Sequence, residues 1–222
     1  MFDYDSILSG TVSALKPSGI RKFFDLIENM EDVVSLTVGQ PDFITPWHIR
    51  QAGIESLEHG KTYYTSNAGT LELRREISRH LREKFGLEYE AESEVIVTVG
   101  GSEAIDLAIR ALVDPGDEVI VFSPYFALYR AQIELAGGVC VDVPTYAEED
   151  YAISEERLRA AITPRTKAII FNNPTNPTGM GYDLSTMEML ARVAKEYDLL
   201  IAADEIYTTY IYEGDFRPIR TL

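Results

Sequence analysis

The chain has 222 residues, of which 45% are hydrophobic and 25% charged, so it is long enough to bury a substantial core and too apolar to be intrinsically disordered. Asp and Glu outnumber Lys and Arg by 36 to 20, and the net charge of −16 disfavours nucleic acids and anionic membranes as partners. No apolar run has the length of a membrane span, and the first residues lack a secretory signal, so we expect a cytoplasmic protein.

The N-terminal stretch differs from the rest of the chain. It contains several prolines around one predicted short helix, at roughly 20–30, and one predicted short strand. We interpret residues 1–45 as an N-terminal arm or part of a smaller domain, and residues 46–222 as the main domain.

Helical and strand patterns alternate along this main domain. Leu73, Ile77, Leu81 and Phe85 recur every four residues and predict a helix that ends before Gly86. Five short apolar runs predict strands at 94–99, 118–122, 139–143, 167–171 and 199–203. Further helices are predicted between them, after the glycines at 100–101 and at 128–135, 154–162 and 184–197. The alternation indicates an α/β fold with three layers (α/β/α) and a mostly parallel sheet.

Cysteine and histidine contribute little predicted chemistry. Cys140 is the single cysteine, and its strand-like surroundings (Gly-Val-Cys-Val-Asp-Val) predict a buried, unreactive thiol. The histidines His48, His59 and His80 lie far apart without metal-ligand spacing, so we expect no metal site.

Polar or aromatic loops follow four of the predicted strands, at 100–102, 123–126, 172–179 and 204–207. Ligands of open α/β sheets bind beyond the carboxyl ends of the strands, where these loops converge. The sequence therefore predicts a ligand site at that edge of the sheet.

Two of these loops each allow two interpretations. The Gly-Gly-Ser turn at 100–102 opens a helix and predicts a backbone phosphate site, but Ser102 is also a good ordinary N-cap, and Glu103 disfavours an anion nearby. Asp204 follows an apolar strand, so it either pairs with a cation such as a protonated cofactor ring or caps a helix beginning at residue 205. The residues themselves leave both choices open.

The loop at 172–179 is more specific. Its two Asn-Pro steps restrict the backbone, allow a cis bond, and hold amide side chains in fixed directions. We interpret it as part of a binding site.

Five motifs occur in one order along the chain. They are Val-Gly-Gln-Pro-Asp-Phe at 38–43, Tyr64 with Ala68-Gly69, Gly-Gly-Ser-Glu-Ala at 100–104, Asn-Pro-Thr-Asn-Pro-Thr-Gly at 173–179, and Asp-Glu-Ile-Tyr at 204–207. From about residue 16 onward, the chain resembles the N-terminal portion of a class I/II aminotransferase, an enzyme of fold type I that depends on pyridoxal 5′-phosphate. The resemblance implies an incomplete large domain of that fold and cofactor-binding roles for Gly101, Ser102, Phe126, Asn176, Asp204, Tyr207 and Tyr64.

Each of these roles follows from the resemblance. Gly101 and Ser102 would hold the cofactor phosphate. Tyr64 would reach the phosphate of a neighbouring subunit, which implies a homodimer. Gly39 would lie beside the substrate carboxylate, and Asn176 would also contact substrate.

The remaining roles concern the pyridine ring. Phe126, rather than the adjacent Tyr125, would stack on the ring. Asn176 and Tyr207 would bond its phenolic oxygen, and Asp204 would pair with its protonated nitrogen. The implied function is transfer of an amino group from an L-amino acid to a 2-oxo acid.

The lysine that forms the Schiff base in this family is not found in this chain. It is expected roughly a dozen residues past Leu222, and none of the six lysines present has its setting. The substrate-binding arginine near the family's C-terminus is also missing. We therefore assign no catalytic residue and interpret the chain as a truncated aminotransferase that is inactive alone.

Three alternatives stay open. A pyridoxal-phosphate-dependent β-lyase of the same fold would share these motifs. A non-catalytic binding module that has lost the lysine is a second alternative. An ordinary nucleotide-binding domain is the third, although the chain lacks a Gly-x-Gly-x-x-Gly turn after its first strand.

Overall fold

The computed structural model describes residues 5–15, 34 and 39–222. Contacts divide the chain into two units, one of Met1–Leu15 with Leu71–Leu222 and one of Lys16–Thr70. The helix predicted at 20–30 lies outside the described residues, and the described part of the first 45 residues contains no strand. The domain division between residues 45 and 46 stays a prediction.

The described residues of the larger unit form six α-helices and four strands, with one further helix in the smaller unit. The helices are α1 (Gly10–Ala14), α2 of the smaller unit (Trp47–Glu58), α3 (Leu71–Phe85), α4 (Gly100–Leu112), α5 (Leu128–Leu135), α6 (Glu155–Ala161) and α7 (Leu184–Glu196). The strands are β1 (Glu118–Ser123), β2 (Val139–Pro144), β3 (Thr166–Asn172) and β4 (Leu200–Asp204). Short 3-10 turns lie at Asp5–Ile7, Ala147–Glu149 and Ile219–Thr221.

The four strands form one parallel sheet in the order β2-β1-β3-β4. The predicted α/β class is confirmed, and most predicted boundaries lie within two residues of the observed ones. In the register of β3 and β4, Asn172 pairs with Asp204, so the carboxyl ends of these strands place two polar side chains next to each other.

One predicted strand is wrong. Residues 95–98 adopt no regular secondary structure, and they pair with none of the described strands. Their apolar pattern is typical of a strand, but a strand also requires a neighbour that accepts and donates the ladder hydrogen bonds. Val95 is buried whereas Val99 is exposed, so this segment only partly joins the core.

The core lies on both faces of the sheet. Ile120 and Phe122 of β1 pack on one face in a cluster that includes Leu158 of α6 and Leu190 of α7. Alternate residues of the same strand, beginning with Val119, pack on the other face against α4 and α5. Because successive side chains of a strand point to opposite faces, this arrangement gives the predicted three layers.

A buried carboxylate anchors the amino end of the sheet. Glu118 of β1 accepts hydrogen bonds from the Thr163 hydroxyl at 2.5 Å, from Arg165 Nε at 3.1 Å and from the Thr166 hydroxyl at 3.2 Å. These contacts, the Thr163 bond foremost, outweigh the burial and lower the pKa of Glu118 from its ordinary 4.5.

We expect Glu118→Gln to lower the free energy of unfolding at pH 7 by about 2 kcal/mol, because the charge-assisted bonds are lost. A depressed pKa in the folded state contributes stability above the ordinary pKa, and this contribution disappears as pH falls through the folded value. The difference between the variant and the unsubstituted protein should therefore shrink below about pH 4. Urea unfolding at several pH values measures this difference in the free energy of unfolding. Glu188→Gln, on the exposed surface of α7, is the control. A difference that does not change with pH would contradict this account.

Candidate functional site

A cavity of about 160 Å³ lies beyond the carboxyl ends of β3 and β4. Its lining residues are Gly101, Ser102, Ile105, Phe126, Asn172, Asn176, Asp204, Ile206 and Tyr207. The structure thus brings together six of the seven residues predicted to bind the cofactor. A larger cavity of about 920 Å³ lies around the end of α3 and residues 211–218, and none of the predicted site residues lines it.

The first turn of α4 forms one end of the cavity. The helix begins at Gly100, with Val99 in the N-cap position and no side-chain cap, so the interpretation of Ser102 as an ordinary N-cap is wrong. The leading N–H groups of a helix have no intrahelical acceptors, and the helix dipole is positive there. A Cβ atom built on Gly101 would meet no other atom within 4 Å, so open space lies in front of this turn.

Glu103 is held at the start of the helix. Its carboxylate accepts a hydrogen bond from the backbone N–H of Val99. Because that donor is neutral, Glu103 keeps its negative charge, and the predicted conflict with an anion at this turn stays.

Asp204 lies at the end of β4 with both carboxylate oxygens bonded. The Tyr129 hydroxyl of α5 donates to Oδ2 at 2.6 Å, and the Ile206 N–H donates to Oδ1 at 3.3 Å. Residues 206–209 form a turn rather than a helix, so the alternative in which Asp204 caps a helix is wrong.

Tyr129 is almost completely buried. Burial, and then the hydrogen bond to Asp204, raises the pKa of Tyr129 far above its ordinary value of 10.0. The hydroxyl therefore stays protonated at neutral pH and donates its proton to Asp204, which fixes the carboxylate in direction.

Phe126 forms an aromatic wall of the cavity and packs edge-on against Tyr129, with the ring centroids 5.7 Å apart. The neighbouring Tyr125 does not line the cavity. Its hydroxyl accepts from Arg130 Nε at 3.0 Å and lies 3.8 Å from the sulfur of Cys140. Of these two aromatic residues, Phe126 alone lines the cavity, and its stacking on a ring stays a prediction.

Cys140 is half-buried rather than fully buried. Burial raises the pKa of its thiol to about 11, so the thiolate is scarce at neutral pH. The raised pKa agrees with the low reactivity expected for this thiol. The side chain of Cys140 is less completely buried than predicted.

A chain of amide hydrogen bonds joins the loop after β3 to the end of β4. Asn172 Nδ2 donates to the Asp204 carbonyl oxygen at 2.8 Å, and Asn172 Oδ1 accepts from the Asn176 N–H at 2.7 Å. Asn176 Nδ2 then donates to the Tyr207 hydroxyl at 3.3 Å. Both Asn-Pro bonds of this loop are cis. Asn176 and Tyr207 thus present polar groups side by side in the cavity.

Sequence reasoning did not assign roles to Asn172, Tyr129, Ile105 or Ile206. Asn172 was detectable, because it directly follows a predicted strand in the same way as Asp204. Tyr129 carries a weaker signal, since an aromatic residue on an apolar helix face usually belongs to the core. Its contact with the site depends on Asp204, which lies 75 residues later in the chain.

Gly39 and Tyr64 belong to the smaller unit, and both are exposed there. The side chain of Tyr64 is fully accessible. Their roles in binding substrate and a neighbouring cofactor stay predictions.

Among the residues that the structure describes, no lysine lines the cavity. Lys167 pairs with Asp117 at 3.0 Å near the amino end of β3, and Lys195 donates to the Leu222 carbonyl oxygen at 3.3 Å. Across the described ranges, no helix is long and apolar enough to cross a bilayer, and no cluster of three or more His, Cys, Asp or Glu side chains is arranged for a metal ion.

One known protein family matches most of this chain. The model of aminotransferase class I and II matches residues 31–222. The chain belongs to this family. The aminotransferase resemblance of the sequence is therefore confirmed.

Several relatives match almost the whole chain. YugH of Bacillus subtilis is 49% identical over 217 residues, which cover 98% of this chain and 56% of the relative. The aspartate/prephenate aminotransferase of Thermus thermophilus is 46% identical, and the match covers 96% of this chain and 56% of that relative. The structure of aspartate aminotransferase from Thermus thermophilus with maleate has a TM-score of 0.90 at 44% identity, again covering 96% and 56%. The chain thus spans slightly more than half the length of these aminotransferases.

Proposed function

We propose that this chain supplies the cofactor-binding part of a pyridoxal-phosphate-dependent aminotransferase, which transfers an amino group from an L-amino acid to a 2-oxo acid. The observation that carries the proposal is the convergence of Asp204, the first turn of α4 and the Asn176–Tyr207 pair on one cavity. Family membership supports the same activity for the complete protein.

The side chains and backbone fit the cofactor group by group. A helix N-terminus suits a phosphate dianion, the N-cap residue Val99 supplies no side-chain cap here, and the open space at Gly101 leaves room for the phosphate. Phe126 offers an aromatic face to a ring. Asp204 offers an oriented carboxylate to a protonated ring nitrogen, and Asn176 with Tyr207 offers donors to a phenolic oxygen.

When bound, the cofactor supplies an electron sink for the α-carbon of the amino acid. Asp204 would hold a proton on the ring nitrogen, and the bond from Tyr129 would keep the carboxylate facing the ring. The amide bonds of Asn172 would hold the loop of Asn176 against the end of β4.

Turnover requires groups that the described part of this chain does not bring to the cavity. The lining contains neither a lysine nor an arginine, so we propose binding without catalysis by this chain alone. We also propose that Gly39 contacts substrate and that Tyr64 reaches the cofactor of a second subunit in a homodimer, since Tyr64 is fully accessible.

The test uses pyridoxine 5′-phosphate, which has the ring and phosphate but no aldehyde. The aldehyde of the cofactor itself would react with any of the six lysines and obscure the site. Equilibrium dialysis should show saturable binding of one molecule per chain. Pyridoxine, which lacks the phosphate, should bind at least about tenfold more weakly because the helix N-terminus then has no anion to bind. Absence of saturable binding, or equal affinity for the two compounds, would refute the proposal.

A further inference from the structure

Gln132 is a buried polar residue of α5 that does not line the cavity. Its Nε2 donates a hydrogen bond of 2.7 Å to the carbonyl oxygen of Ser102, which is 30 residues earlier in the chain. Ser102 belongs to the first turn of α4, so this side chain links α5 to the turn proposed to bind phosphate.

The orientation of the amide follows from its partner. A carbonyl oxygen only accepts hydrogen bonds, so Nε2 must face Ser102 and Oε1 must point the other way. Oε1 is buried and has no hydrogen-bond partner among the described protein atoms. An apolar side chain would fill this position without burying an unpaired acceptor, so the bond to Ser102 is the distinctive contribution of glutamine here.

Gln132 is the third of three regularly spaced site contacts. Phe126, Tyr129 and Gln132 are three residues apart, along α5 and the turn before it. Phe126 lines the cavity, Tyr129 bonds Asp204, and Gln132 bonds the backbone at Ser102. Residues spaced in this way lie along one side of a helix, so one short element contacts all three parts of the site.

We propose that Gln132 is a positioning residue for the anion-binding turn, an inference that rests on the proposed cofactor site. The Ser102 carbonyl lies in the first turn of α4, whose leading N–H groups have no intrahelical acceptor and would face the phosphate. The bond from Gln132 holds this turn against α5, and Tyr129 of the same helix bonds Asp204. The bond therefore limits movement of the turn relative to Asp204.

The test compares Gln132→Met, which keeps the length and volume but cannot donate, with the unsubstituted chain. We expect pyridoxine 5′-phosphate to bind about tenfold more weakly, as for loss of one net hydrogen bond. Affinity for pyridoxine should not change, because that ligand makes no use of the phosphate turn. The melting temperature should stay the same or rise, since an unpaired buried acceptor is removed. Gln51→Met, on exposed α2, is the matched control and should change neither affinity.

The outcomes separate this inference from the proposed function. Failure of the unsubstituted chain to bind either compound would refute the cofactor site itself. Binding that Gln132→Met leaves unchanged, or weakens equally for both compounds, would overturn the positioning role alone. Gln132→Leu repeats the comparison if the methionine variant does not fold, and failure of both to fold would assign Gln132 a structural role and also overturn the proposal.

Discussion

Asp204→Asn is expected to weaken the binding of pyridoxine 5′-phosphate by about a hundredfold, the effect of removing the charged partner of a desolvated cation. The asparagine oxygen can still accept from the Ile206 N–H, and its amide NH2 can donate to the Tyr129 hydroxyl, which then accepts instead of donating, so the local fold should persist. It cannot neutralise a protonated ring nitrogen. Equilibrium dialysis at pH 7 measures the change in affinity.

Two comparisons make this result specific to the ring nitrogen. A 1-deaza analogue of the ligand has carbon in place of that nitrogen, and it should bind the asparagine variant and the unsubstituted chain equally. Asp150→Asn removes one exposed negative charge outside the cavity and should leave both affinities unchanged. Equal weakening of the ligand and its deaza analogue by Asp204→Asn would show that Asp204 does not pair with the nitrogen.

Gly101→Asp is expected to lower affinity for pyridoxine 5′-phosphate by a hundredfold or more, to about the level of background, because it places a carboxylate where the phosphate would bind. The same substitution should not destabilise the chain. A Cβ atom at Gly101 meets nothing within 4 Å, and an acidic residue in the first turn of a helix is favourable toward the dipole. The affinity for the ligand should therefore fall while the free energy of unfolding stays nearly the same.

The matched variant is Gly101→Asn, which adds nearly the same volume without the charge. We expect it to weaken binding much less than Gly101→Asp, and the ratio of the two affinities gives the electrostatic part of the effect. Urea unfolding should place both variants within about 0.5 kcal/mol of the unsubstituted chain. If asparagine and aspartate weaken binding equally, the site excludes ligand by volume, and the helix N-terminus is not an anion site.

The sequence alone determined those features that depend on neighbours along the chain. The four-residue spacing from Leu73 to Phe85 defines one face of α3, and the continuous apolar runs of β1 and β3 suit strands buried on both faces. The motifs at 100–104, 173–179 and 204–207 also identified five residues that line the cavity, and the predicted loop at 123–126 contained a sixth, Phe126. Parallel strands bring their carboxyl ends to one edge, so local patterns were enough to predict that these loops converge.

Only the tertiary structure decided which distant groups pair. The apolar pattern at 94–99 is that of a strand, but no described strand pairs with it, and ladder hydrogen bonds cannot be read from a local pattern. Asp204 had two interpretations, and only the turn at 206–209 excluded the helix cap. Its hydrogen bond from Tyr129, 75 residues earlier, has no local signal in the sequence. Gln132 gave no signal, because nothing near it in the chain indicates the Ser102 carbonyl. Periodicity reports which face of an element is buried, whereas a buried polar group is satisfied by whichever partner the packing of whole elements brings within reach.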